Sequence, residues 1–108
     1  MPMMTIEQFR QLELKVGTIT QAQDHPNADR LLVLTVDVGG VAKQIVAGIR
    51  GHYQPADLVG KSVVVVDNME PATIRGVESQ GMLLAASNDT GLAVLVPERE
   101  IGSGAIVK

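Results

Sequence analysis

The sequence predicts an all-β fold with short helices: a five-stranded Greek-key barrel followed by additional C-terminal strands. Two observations point there. The 45% hydrophobic content is almost entirely Val, Leu, Ile, Ala and Met, with Phe9 and Tyr53 the only aromatics, and an aliphatic, β-branched interior favours strands. The apolar residues also fall in short runs broken by Gly, Pro, Asn and Asp, the punctuation of turns rather than of long helices. At 108 residues the chain is expected to form one domain around one core.

Taken in order, Thr5 followed by Gln8 fits a capping box, and Ile6, Phe9 and Leu12 share one helical face, so a short helix over residues 5–12 is expected to cover one end of the barrel. From Leu14 the chain alternates apolar and polar residues as a half-buried strand does, with Gly17 a candidate bulge or bend. Residues 24–30, Asp-His-Pro-Asn-Ala-Asp-Arg, are dense in turn formers and read as a loop. A second strand over 31–38, a Gly39-Gly40 turn and a third strand over 41–47 complete a meander. Pro55 opens a short helix between strands three and four. Residues 62–66 form a valine strand, 67–81 a long polar loop, and 82–87 strand five; segments 92–96 and 105–108 add late strands.

Three strands, a short helix and two strands is the order of an OB-fold, which binds oligonucleotides on strands two and three and on its one-two and four-five loops. Here those loops are 24–30 and 67–81. The second holds Asn68, Arg75, Ser79 and Gln80 and runs directly into Met82. Fold does not fix function, so these residues must carry it.

Composition narrows the chemistry. Without cysteine there are no disulfides, thiolate ligands or thiol nucleophiles, and a reducing, cytoplasmic setting is expected. The first residues lack the charged start and apolar stretch of a secretory signal and no apolar run reaches membrane length, so neither a leader nor a membrane span is expected. A net charge of −3 supplies no global field for a polyanion, but it leaves room for a local site. His25 and His52 alone make a poor zinc site, and neither a catalytic triad nor a P-loop lysine is found, so no metal, no cofactor and no enzymatic activity are expected.

Four segments resemble a known family: Leu14-Lys15-Val16-Gly17, Asn27-Ala28-Asp29-Arg30-Leu31-Leu32, Val46-Ala47-Gly48-Ile49 and, most distinctively, Glu78-Ser79-Gln80-Gly81-Met82-Leu83-Leu84-Ala85-Ala86. This is the tRNA-binding domain found free-standing, as a C-terminal appendage of bacterial methionyl-tRNA synthetases, and in endothelial monocyte-activating-polypeptide-like cofactors. The resemblance implies a homodimeric OB-fold that grips tRNA without catalysis, mainly by shape. By position it implies tRNA contacts at Arg30, Ser79 and Met82, with Arg75, Asn68 and Gln80 alongside them.

One departure stands out. Many relatives carry two basic residues after a proline in this loop, whereas this chain has Glu70-Pro71-Ala72-Thr73. That loss, with the acidic net charge, motivates an alternative reading as a protein-binding, chaperone-like dimer. Neither loop contains an aromatic, so base stacking worth about 1–3 kcal/mol per base is not available to them. Recognition of structured RNA fits better than capture of single strands.

Overall fold

In the computed structural model, which describes residues 2–108, the chain is a strongly curled antiparallel sheet with two one-turn helices. The expected OB-like half-barrel, with additional strands, is what forms. The sheet runs β3 (Val41–Ala47), β2 (Leu32–Val38), β1 (Leu14–Asp24), β4 (Ser62–Val66), β7 (Met82–Leu83), and β10 (Ile106–Val107) also pairs with β1. Between β4 and β7 lies a hairpin of β5 (Ala72–Ile74) and β6 (Val77–Ser79), and a second hairpin follows, β8 (Ala85–Asn88) with β9 (Gly91–Val94).

The core is aliphatic, as the composition requires. Ile19, Leu32, Leu34, Val36, Ile45, Leu58, Val63 and Val65 are wholly or almost wholly buried, each contributing roughly 1.5–3 kcal/mol relative to exposure. Of the two helices, α1 (Ile6–Phe9) does form its capping box, with Gln8 N–H donating to Thr5 Oγ1 and Thr5 N–H to Gln8 Oε1. It buries no residue, however, so it does not plug the barrel. The buried plug comes from α2 (Pro55–Leu58), through Leu58. α1 ends at Phe9, so Leu12 falls outside it, and both Ile6 and Leu12 stay exposed, whereas Leu58 is wholly buried in the core.

Three further expectations change in detail. Strand one runs on to Asp24, and its irregularity in pairing with β2 falls between Ile19 and Gln21 rather than at Gly17. Gly17 is needed for a different reason, the close approach of Val36. Strand five is broken: Met82–Leu83 pairs with β4, and Ala85–Asn88 turns away to pair with β9. Most consequential, the long polar loop contains the β5–β6 hairpin, whose register Ile74↔Val77 leaves Arg75-Gly76 as a two-residue turn. Its three-residue strands are too short for alternation to reveal.

The barrel closes through side-chain and backbone bonds together. The outer edge of β3 meets no full strand; instead Gln44 N–H donates to Gln80 Oε1 (2.8 Å), Val46 N–H to Ser79 Oγ (3.0 Å), and Gln80 N–H to Gln44 O (2.7 Å). Gly81 lets this segment approach, since a Cβ there would lie 3.0 Å from Val66 O. Unpaired edge groups left buried would each cost about 1–3 kcal/mol, so the Ser79-Gln80-Gly81 sequence works as a closing strip.

Asp67, just beyond β4, fastens the same seam. Its carboxylate forms ion pairs with Lys15 of β1 (2.9 Å) and Lys43 of β3 (2.5 Å), and Lys43 donates a hydrogen bond to its backbone carbonyl. Burial pushes the Asp67 carboxyl up, but hydrogen bonds and charge from the two lysines outweigh that and hold it below the ordinary aspartate value. A depressed folded-state value contributes stability above the unfolded value, and that contribution is lost as pH falls through the folded one. Wild-type urea midpoints are therefore expected to fall below about pH 4. Asp67→Asn should start lower at pH 7 and decline less steeply; parallel pH curves for the two proteins would remove Asp67 from the acid response.

Candidate nucleic-acid interface

β1 ends at Asp24, and His25 N–H continues its ladder by donating to Leu31 O (3.1 Å), so residues 26–30 form a tight excursion rather than a loose loop. The β5–β6 hairpin folds over against this excursion. Arg30 from the loop and Arg75 from the hairpin tip line one shallow hollow together with Ala28, Asp29 and Leu31. Both arginines are exposed. Among the described residues, Lys15 and Lys43 pair with Asp67, Arg50 with Asp24 and Arg99 with Glu98, whereas Arg10, Arg30, Lys61, Arg75 and Lys108 join no ion pair; of these, Arg30 and Arg75 line this hollow. A free guanidinium can give two parallel N–H donors to a phosphate.

The hairpin tip carries an unusual backbone. Arg75 has φ 53° and Gly76 φ 89°, and Arg75 is the one non-glycine with positive φ among the described residues. Two central residues with positive φ make a type I′ turn, which prefers Asn-Gly. An arginine kept where asparagine or glycine fits better is an outlier of the kind that accumulates at functional sites.

The remaining expected site residues fall elsewhere. Met82 is 48% exposed and lines, with Val46, Met69, Glu70, Ala72 and Ile74, a second hollow beside the hairpin. Ser79 borders it too, but it is 4% exposed, and its hydroxyl accepts from Val46 N–H and donates its one proton to Gly81 O (3.0 Å). The expected donation from Ser79 to a phosphate or 2′-hydroxyl therefore finds that proton already committed within the chain. Gln80 faces β3 rather than the hollows. Asn68 is exposed but reaches back to the segment after α1, accepting from Glu13 N–H (2.9 Å) and donating to Gln11 O (2.6 Å).

Two residues organise the site without having been singled out for it in the sequence. His25 is 2% exposed, with Nδ1 accepting from Asn27 N–H (2.9 Å) and Nε2 3.0 Å from Ile74 O in the hairpin. The first contact fits the turn expected from His-Pro-Asn; the second spans 49 positions and has no local signal. Arg50 supports the loop by donating to Ala28 O (3.1 Å) and His25 O (3.4 Å) and pairing with Asp24 (3.3 Å).

The chain's similarity to known proteins spans these loops and strands. The sequence model of one family, described as a putative tRNA-binding domain, matches residues 14–105. The chain belongs to this family. It is 46% identical over its full 108 residues to a methionine–tRNA ligase of Pyrococcus furiosus, covering 15% of that protein. It is 47% identical over 103 residues to the methionine–tRNA ligase of Thermotoga maritima, covering 16%. The chain thus spans about one-seventh of such ligases, and the activity in their name belongs to much longer proteins.

Among solved structures, a MetRS-related protein from Pyrococcus horikoshii superposes with a TM-score of 0.92 at 33% identity, with both chains fully covered. The chaperone CsaA from Bacillus anthracis superposes at 0.89 with 30% identity, over 99% of this chain and all of that one. Among the described residues of this tRNA-binding-family member, no helix is long and apolar enough to cross a membrane.

Proposed function

We propose that the chain is a non-catalytic tRNA-binding module, cytoplasmic, either free-standing or an appendage of methionyl-tRNA synthetase, that takes folded tRNA by shape and backbone contacts. One observation carries the reading: two unpaired arginines, Arg30 and Arg75, flank a single hollow on two different loops, one of them held on a strained turn. Arg30 and Arg75 take phosphates, and Met82 lies against a ribose or base edge. Ser79 and Gln80 hold the seam that carries the hairpin, and Asn68 holds the N-terminal segment. A homodimer is part of the proposal, supported by the exposed apolar residues Met3, Met4, Ile6 and Ile106, and light scattering at one chain's mass would remove it.

Gel shift with bulk tRNA over a salt series tests the main reading. Each phosphate contact adds roughly 0.7–0.9 to the slope of log K against log salt, so two per chain should give about 1.4–1.8. Absence of retention at low salt would sink it. A chaperone-like reading is favoured by one observation, the apolar groove along Val46, Met82, Leu84, Ala85 and Leu92 in a fold shared with CsaA. Suppressed aggregation of a denatured client by protein that retains no tRNA would make it the better account.

A further inference from the structure

We infer that His25 is a positioning residue for tRNA contact: its imidazole ties the 26–30 loop to the β5–β6 hairpin and so fixes Arg75 relative to Arg30. This rests on the tRNA-binding reading above. Because Asn27 N–H donates to Nδ1, that nitrogen carries the lone pair, the proton sits on Nε2, and Nε2–H donates to Ile74 O. A neutral imidazole is the one side chain that offers an acceptor and a donor on opposite edges of a rigid ring. The ring is buried, so water does not compete for either bond.

Among the described residues, two hydrogen bonds cross between loop and hairpin. One is His25 to Ile74; the other is Arg75 Nη2 to Asn27 O, at 3.4 Å. The second is long and weak, and it is made by the guanidinium that must turn away to meet a phosphate. Once Arg75 engages a ligand, the imidazole is the hydrogen-bonded tether that remains. Arg50 secures the loop side of that tether through His25 O and Ala28 O, so a shift of the hairpin has to break the Ile74 bond rather than drag the loop along.

His25→Asn isolates the tether. An asparagine oxygen stands where Nδ1 stands and keeps the Asn27 N–H acceptor, but the shorter side chain cannot reach Ile74. Affinity for bulk tRNA would be measured by filter binding for wild type, His25→Asn, Arg75→Ala and the double variant, with folding of each checked by its urea midpoint. Losing one positioning hydrogen bond is expected to weaken wild-type binding by about fivefold, and to have less than a twofold effect once Arg75 is already gone. Amide exchange should quicken in residues 72–79 and stay unchanged in β1, β2 and β4. An equal loss in both backgrounds, or no loss in either, overturns the role of His25 while leaving tRNA binding intact. A wild-type chain that retains no tRNA overturns the binding reading itself, and the positioning role with it.

Discussion

Gly17→Ala is expected to destabilise the fold by about 3 kcal/mol, at the upper end of the range for overpacking a well-filled core. A Cβ built at Gly17 lies 2.5 Å from Val36 Cγ1, 3.1 Å from Asp37 O and 3.2 Å from Val38 Cγ2. Val36 is wholly buried and β-branched, so its methyl cannot swing aside without entering the core or an unfavourable rotamer. The backbone oxygen is held in place because the neighbouring residues Thr18 and Asp37 are paired across β1 and β2. Against this, alanine lowers unfolded-state entropy, a gain of about 0.4–1 kcal/mol where the native backbone tolerates it. The clash wins because rigid atoms surround the site on three sides. Gly102 is the control: nothing lies within 4 Å of its Cβ position and its φ is not positive, so Gly102→Ala should be neutral or slightly stabilising. Urea denaturation of both variants decides, and equal midpoints would show that the β1–β2 sheet relaxes around the new methyl.

Gly17 also shows how far the sequence reaches. A glycine inside an alternating strand announced that something special happened there, but not what. Whether it bends the strand or admits a neighbour depends on Val36, which the chain brings back only after a turn. Local order was legible where strands of five or more residues carried a signal of their own: alternation in β1, the Gly39-Gly40 turn between β2 and β3, and the valine run of β4. It failed where strands are three residues long, so the β5–β6 hairpin read as loop. At the site, Arg30 and Arg75 could be picked out by residue type, and their shared hollow follows from the two loops of the barrel. The buried hydroxyl of Ser79 could not be anticipated, because Ser79 and Val46 are 33 positions apart. Its long surrounding motif suggested a ligand contact; its geometry is that of a residue closing a barrel. A distinctive sequence stretch can mark either, and only the direction of the side chain separates them.

The second large effect is one of opposite signs. Arg75→Asn is expected to raise the stability of the chain while weakening its hold on tRNA. The turn Arg75-Gly76 has both φ angles positive, and placing a residue with a long side chain in that left-handed region costs about 1 kcal/mol or more, which asparagine largely avoids by its tolerance of the conformation. The fold loses only the bond from Arg75 Nη2 to Asn27 O, which at 3.4 Å on an exposed surface contributes little. The strain term therefore dominates, and stability should rise by about 1 kcal/mol, or roughly 4–8 °C in Tm for a domain near this size. Binding moves the other way, because a lost charge-assisted contact of about 1.5–3 kcal/mol corresponds to roughly 10- to 100-fold weaker association. The salt slope should fall by about 0.7–0.9 as one phosphate contact disappears. Arg75→Lys separates geometry from charge: it keeps the strain and the positive charge but loses the planar fork, so stability should stay put while affinity falls part of the way. If Arg75→Asn gained stability and bound tRNA as before, the strained turn would need another explanation. If it lost stability, the contact with Asn27 would outweigh the backbone strain.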